Sequence, residues 1–377
     1  MKIGIDARVL GTSRALDRYT RNLISQLAVI KTKHRFVIFL REGASPDKLR
    51  IPKADNFEYA FFKANHSLFE HLTLAFRLKK YQLDVLFHPD NKSLLWCRIP
   101  QVTTLHDLTP QKFPGLVLSK DTWIYIRQKL YFLLQNKALS KNARIITVSK
   151  NTKRDVVSFL GLDVGKVAVV YEGVEKHFAP QNASQVTKIL KKYQIEKPYL
   201  FYLGGFGRHK NVLSVLRAFV SVKGEFEDLK LVLGGKANDS GSSGQNIFSE
   251  LRSFVEANHI KKRAQFPGFV AEEDLPAIYS GAKVFVYPSK YEGFGFPPLE
   301  AMACGTPVVC SKAASLPEVG GEAVVYAQSV SEIAFSVTQI LKSATMQKEL
   351  SQKSLKQAKK FKWSKCARET LKIVESI

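Results

Sequence analysis

Two carboxylates, Glu292 and Glu300, stand with seven residues between them in the stretch Tyr287 to Ser311, YPSKYEGFGFPPLEAMACGTPVVCS. Between them lie Gly293 and Gly295, which let a backbone approach a ligand closely, and Pro297 and Pro298, which suit the first turn of a helix. A helix beginning there aims free N–H groups and its positive dipole end at the glycine turn, a setting that welcomes an anion. The flanking carboxylates are poor partners for phosphate and good acceptors for sugar hydroxyls. A second constellation, Tyr202 to Asn211 (YLGGFGRHKN), follows an apolar run with a glycine turn and ends in Arg208 and Lys210, two cations within reach of a diphosphate. It lacks the third glycine of a dinucleotide fingerprint and the spacing of a phosphate-binding P-loop. A third, His106-Asp107, closes the β-like run QVTTL, where a polar pair would face the ligand crevice of a parallel sheet.

These residues need strands and helices to hold them, and the sequence supplies both in alternation. Strand-like runs are expected at Lys2 to Asp6, Arg35 to Leu40, Phe57 to Phe62, Asp84 to Phe87, Gln101 to Leu105, Arg144 to Val148 and Val167 to Tyr171. Helical patterns fall at Leu16 to Val29, Leu68 to Lys80, Ser119 to Leu139 and Asn151 to Leu160, the last with Ser149 as N-cap. The second half resumes with strands at Tyr199 to Leu203, Lys230 to Leu233, Arg263 to Phe266, Val284 to Tyr287, Pro307 to Cys310 and Ala323 to Tyr326. Ala237 to Gln245 reads as a surface loop. The alternation predicts an α/β chain with two doubly wound, Rossmann-like parallel-sheet domains. The boundaries expected are 1–175 for the first domain, 176–198 for a linker around Pro180 and QNASQ, 199–360 for the second domain and 361–377 for a last helix.

Composition narrows the class. With 377 residues, 45% of them hydrophobic, two ordinary cores can form, and no run is long enough to cross a bilayer. The start MKIGIDARVL reads as a strand and not as a secretion signal, so cytoplasmic residence is expected. Cys97, Cys304, Cys310 and Cys366 have no metal-ligand spacing and read as reduced thiols. Lys and Arg number 57 against 33 Asp and Glu, a net charge of +24, which calls for an anionic partner. Nucleic acid fits poorly, because the basic residues are spread along the chain and no zinc-finger or RNP pattern occurs. Phosphorylated substrates and an anionic membrane surface fit better. Two helices interleave aromatic and basic residues: Leu68 to Leu83, with Phe69, Leu72, Phe76, Arg77, Lys79 and Lys80, and Thr122 to Lys141, with Trp123, Tyr125, Arg127, Lys129, Tyr131, Phe132 and Lys137.

The Tyr287 to Ser311 stretch closely resembles the signature of the retaining glycosyltransferases of family 4, two-domain GT-B enzymes whose pattern reads E-G-F-G-x-P-x-x-E-A-M-A-x-G-x-P-V-V. The resemblance implies two Rossmann-like domains facing across a cleft, with residues 361–377 returning to the first. It also implies transfer of a hexose from a nucleotide sugar, a UDP- or GDP-sugar, to a hydroxyl of a glycan or lipid-linked saccharide, with retention of configuration and no metal. By the same resemblance Glu292 contacts the donor hexose, Glu300 the ribose and Lys210 the phosphates. Gly293, Phe294, Gly295 and Leu299 belong to the donor loop and its helix, Pro267-Gly268-Phe269-Val270 to the nucleotide-base loop, and His106 lies close to the transferred sugar. Asp107 is expected to orient His106 or its loop.

The chain departs from that pattern in three places. Arg208-His209 stand where relatives often have Pro-Arg, and Gly205 stands where many have arginine. Relatives commonly read G-I-G-R-Y after the first strand, and this chain has Ala15-Leu16-Asp17-Arg18-Tyr19. A loop of Arg14, Asp17, Arg18 and Tyr19 is therefore expected at the acceptor or phosphate, with Arg14 or Arg18 neutralising Asp17. Absence of any D-x-D weighs against a metal-dependent alternative. A nucleotide-sugar-binding protein with weak or lost transfer, an epimerase and a phosphorylase are the competing readings.

Overall fold

The computed structural model describes residues 1–11, 14–62, 68–113, 122–237 and 247–377. Two compact units separate among them. The first takes the described residues of Met1–Gln111, Asp121–Gly173 and Lys362–Ile377, the second those of Lys112–Lys120 and Val174–Phe361.

In the first unit, strands β1 (Lys2–Asp6), β2 (Arg35–Arg41), β3 (Phe57–Phe62), β4 (Val85–His88), β5 (Gln101–Leu105), β6 (Arg144–Thr147) and β7 (Val167–Val169) form one sheet in the order β3-β2-β1-β4-β5-β6-β7. Every pairing is parallel. Helices α1 (Arg14–Leu27), α2 (Leu68–Leu78), α3 (Thr109–Lys112), α4 (Thr122–Ser140) and α5 (Lys150–Leu160) alternate with the strands. Such a sheet is covered on both faces, which is why β2 reads as the unbroken apolar run Phe36 to Leu40, all buried. Ser149 caps α5 as expected, accepting from the Thr152 amide at 3.0 Å, and Gly161 ends it in the left-handed region.

The second unit begins with α6 (Ala183–Lys192) and carries β8 (Tyr199–Leu203), α7 (Val212–Val222), β9 (Lys230–Gly234), α8 (Phe248–Ala257), β10 (Ala264–Gly268), α9 (Leu275–Gly281), β11 (Val284–Tyr287), α10 (Phe296–Ala303), β12 (Val308–Cys310), α11 (Leu316–Gly320), β13 (Val325–Tyr326), α12 (Val330–Lys342) and α13 (Ala344–Ala358). Its strands line up as β10-β9-β8-β11-β12-β13, again all parallel. An edge-to-face set of Phe201, Tyr279 and Phe285 fills the middle of this sheet. The last helix, α14 (Trp363–Glu375), belongs to the first unit and packs on α1.

Some expectations shift. Residues 176–198 are not a bare linker: Asn182 caps α6, whose Val186, Ile189 and Leu190 are buried, so the polar QNAS is a helix start. Ala15 to Arg18 are not a loop either. They form the first turns of α1, because alanine, leucine and arginine are good helix formers where the family has glycines. Helix α4 is described from Thr122, and all of the Ala237 to Gln245 loop beyond Ala237 lies outside the described residues.

Candidate active site

Each sheet has one point where the strand order reverses, and in doubly wound folds ligands gather outside the carboxyl ends of the strands there. In the second unit that point lies between β8 and β11. The chain leaving β8 makes a tight 3-10 turn at Arg208–Lys210, and the chain leaving β11 makes the glycine loop to α10. The two are stitched together, since the Lys290 amide donates to the His209 carbonyl at 2.8 Å. Lys210 and Glu292, far apart in sequence, thereby meet: Nζ donates to Oε1 at 2.7 Å, and the Tyr287 hydroxyl donates to the same oxygen at 2.7 Å. Lys210 also reaches the Tyr287 hydroxyl at 3.4 Å.

Burial alone would raise the Glu292 carboxyl. The Lys210 ammonium and hydrogen bonds from Lys210, Ser289 and Tyr287 outweigh it and hold the pKa below the ordinary value, so Glu292 is an anion at neutral pH. Burial, then the Glu292 charge, pushes the Tyr287 phenol well up, which keeps it a donor. Tyr287 stacks on Tyr202 with ring centroids 5.9 Å apart, placing two aromatic faces from adjoining strands under the pair. Hydroxyls hold the loop itself. Ser315 Oγ donates to the carbonyls of Glu292 (3.0 Å) and Phe294 (2.7 Å), and Ser311 Oγ to that of Ser289. Gly295 sits at φ +113°, and a Cβ there would come within 2.8 Å of Leu316, so turn and packing both require glycine. At that glycine α10 begins, with Pro297 and Pro298 in its first turn.

The other expected donor residues are distributed unevenly. Glu300 is 3% exposed, and its Oε2 accepts from the Tyr279 hydroxyl at 2.7 Å. Leu299 and Phe294 are buried, Phe294 edge-on to Phe296 and Phe361, so both brace the loop. Gly293 lies in the turn between Glu292 and Phe294. Gly268 ends β10 at φ +74°, and Phe269 beside it is half exposed with Lys236 Nζ 5.0 Å above its ring. Arg208 does not join Lys210: its guanidinium points to Glu250 at 3.3 Å with the side chain 59% exposed. A one-residue displacement in a 3-10 turn, 120° per residue, sends it to another side.

In the first unit, His106 follows β5 and turns each ring nitrogen to an acceptor. Nε2 lies 2.9 Å from the Pro89 carbonyl and Nδ1 3.1 Å from Glu172 Oε1. Carbonyl and carboxylate are both acceptors, so this arrangement suits the imidazolium. Burial pulls the ring's pKa down, but the hydrogen bond and charge of Glu172, then Pro89 and Asp107, bring it above the ordinary value. The Tyr19 ring meets His106 edge-on at 4.6 Å. Asp107 Oδ1 accepts from the Thr109 amide at 2.8 Å, so it positions the loop into α3.

The expected acceptor loop is corrected residue by residue. Asp17 pairs with Arg21, one helical turn on, and its other oxygen accepts from the Gly11 amide at 2.7 Å. Tyr19 is fully buried, its hydroxyl 3.1 Å from Thr104 Oγ1, and Arg18 is buried as well. The Arg14 side chain lies outside the described residues.

The sequence reading missed a buried charge cluster where β1 and β4 meet, the reversal point of the first sheet. Arg8 grips Asp6 with two bonds, Nε to Oδ1 at 2.7 Å and a terminal amino group to Oδ2 at 2.6 Å. Burial opposes the Asp6 charge, but Arg8 and then His88 hold its pKa well below the usual range. His88 Nε2 lies 3.0 Å from Gln101 Oε1, and Lys92 pairs with Asp90 at 3.3 Å. The available signal was the one that exposed His106: polar residues directly after an apolar strand, as in KIGID-AR and VLFH-PD.

Comparison with known proteins agrees with this geometry. The family described as "Glycosyl transferases group 1" matches residues 185–358, and "Glycosyltransferase Family 4" matches residues 16–178. Between them the two models cover most of the chain, which is a glycosyltransferase of the GT-B fold. It is 29% identical over 380 residues, 94% of each chain, to the O-antigen chain mannosyltransferase B of Escherichia coli. It is 30% identical over 213 residues to the O-antigen chain mannosyltransferase RfbU of Salmonella typhimurium strain LT2, covering 56% of this chain and 52% of that one. Among solved structures, Anabaena Alr3699/HepE in complex with UDP and glucose shares the fold with a TM-score of 0.76 at 16% identity, covering 100% of this chain and 99% of that one.

Proposed function

We propose that this glycosyltransferase moves a mannosyl residue from a nucleotide sugar, a GDP- or UDP-sugar, to a hydroxyl of a glycan or lipid-linked saccharide, with retention of anomeric configuration. The observation that carries the reading is the Lys210–Glu292–Tyr287 cluster at the second sheet's reversal point. The sugar is taken from the named activities of the two mannosyltransferases above. In this proposal the donor's diphosphate recruits the Lys210 ammonium and the amides at the start of α10, which stabilise the departing charge without a metal. Glu292, left anionic, accepts hydrogen bonds from hydroxyls of the sugar as it becomes oxocarbenium-like. Glu300 is the ribose acceptor of this scheme, and to serve it must share its carboxylate with Tyr279. Phe269 offers an exposed face at the base loop. His106 stands beside the transferred sugar in this proposal, with its ring nitrogens already turned to the Pro89 carbonyl and to Glu172.

Retention follows in this scheme from attack by the acceptor hydroxyl on the face the diphosphate leaves, with no second carboxylate acting as a covalent nucleophile. The setting that goes with a lipid-linked acceptor is the cytoplasmic side of an anionic membrane, held peripherally. Among the described residues no helix is long and apolar enough to cross one.

The test is direct. Purified protein is incubated with GDP-mannose or UDP-hexoses, a mannose-terminated saccharide and EDTA, and free nucleotide and elongated product are followed together, with the new linkage assigned by NMR. Nucleotide release matched by an α-linked product from an α-configured donor is the expected result. Release without elongation, or a β-linked product, would sink the retaining-transfer reading.

A further inference from the structure

Helix α4 is inverted. Its glutamine Gln135 faces inward, 4% exposed, and accepts from the Ser93 amide at 3.1 Å, beside the buried Ala138 and Leu139. Four large apolar residues along it face out: Trp123 is 82% exposed, Ile126 52%, Leu130 46% and Leu133 65%. The spacing of these four, three, then four, then three residues, is that of a single helical stripe. An apolar stripe three turns long that stays wet works against the effect that folds the rest of the chain, and contiguous exposed patches of this kind mark interaction surfaces.

The charges on the same helix select what covers it. Between Thr122 and Ser140 there are three bases, Arg127, Lys129 and Lys137, all exposed, and no Asp or Glu. A second copy laid on this face would bring base against base with no carboxylate on the helix to answer them. An anionic lipid surface answers both features at once, accepting the apolar side chains below its headgroups and pairing the ammonium and guanidinium groups with phosphates. The chain's net charge of +24 acts in the same direction. We infer that the outward stripe Trp123–Ile126–Leu130–Leu133 with Arg127, Lys129 and Lys137 is the surface by which the protein lies on anionic membranes. This deepens the peripheral attachment proposed above and does not depend on which sugar is moved.

The full chain is floated with vesicles rich in phosphatidylglycerol and with pure phosphatidylcholine vesicles, as wild type, as Trp123→Ser/Leu130→Gln and as Arg127→Glu/Lys129→Glu. Wild type should bind the anionic vesicles, shift its tryptophan emission to the blue and lose that shift in Trp123→Phe. Either double variant should bind at least about tenfold more weakly while transfer to a water-soluble saccharide and Tm stay unchanged. Wild-type binding that both folded variants retain, no binding by wild type, or a dimer in solution that the apolar double variant dissolves would each overturn the inference. Lack of transfer to the soluble saccharide in wild type that still binds vesicles would count against the transferase scheme and leave this surface standing.

Discussion

The two sheets present charged groups at the same topological position in opposite ways. At the reversal point of the second unit, one lysine and one carboxylate from two loops meet, with a phenol from the end of β11 at hand. At the reversal point of the first, Asp6 and Arg8 close on each other out of water, with His88, Asp90 and Lys92 around them. A pair built on glycine-turn loops can open to admit a ligand. A bidentate pair buried at the strand ends fixes the carboxyl edge of its sheet. The difference teaches that charge at a switch point can serve binding or architecture, and that the supporting backbone decides between them.

Breaking the architectural pair should have the largest effect. Asp6→Ala removes the carboxylate that grips the buried Arg8 with two bonds and should cost about 3–5 kcal/mol in urea unfolding, whereas replacing both by apolar residues of like size should cost far less. Equal losses in the single and double variants would show that the pair is not the architectural element. Next come Lys210→Ala and Glu292→Gln. Each removes a group aimed at the donor and should lower kcat by about 10²–10³ with little change in Tm. Because the Glu292 pKa is depressed, whatever its pairing adds to stability is present above the unfolded value and fades as pH falls through the folded one, so the two variants should converge with wild type in acid. If they lost stability and kept turnover, the contrast between the two sites would be reversed.

His106 lies between these extremes. Its pKa is raised, so its stabilising share is complete below the unfolded value and is lost as pH rises through the folded one. Urea unfolding of His106→Gln against wild type should therefore show a gap that narrows as pH rises through the folded-state pKa. A gap that widens with pH would mean the ring is held neutral. The smallest effect is expected from Arg208→Ala, whose partner Glu250 is itself half in water. Donor affinity should change by less than about threefold, read by titration calorimetry. A tenfold loss would give Arg208 a place beside Lys210.

Legibility in the sequence followed the same divide. Parallel strands such as Tyr199–Leu203 and Val284–Tyr287 stand out because burial on both faces makes them continuous apolar runs. Glu292 was legible because its glycines, prolines and carboxylates lie in one contiguous stretch. Its bond to Lys210 was not, since it depends on β8 and β11 becoming neighbours. Asp6, Arg8, His88 and Glu172 escaped for that reason, each being a single polar residue after a separate strand. The Asp17–Arg21 pair went unread because Ala15 to Tyr19 were compared with the glycine pattern of relatives, and it is the helix that brings Arg21 one turn above Asp17.

The Lys210–Glu292 contact also bears on ionic strength. Lysine without a neighbouring carboxylate attracts small anions from solution, and a diphosphate arriving there must displace them, so its affinity falls as salt is added. Here the counter-ion is covalently part of the protein, partly shielded from water at 12% exposure of the Glu292 side chain. Donor affinity should then be nearly flat with added chloride, while the chain's surface, at +24, remains strongly salt-responsive.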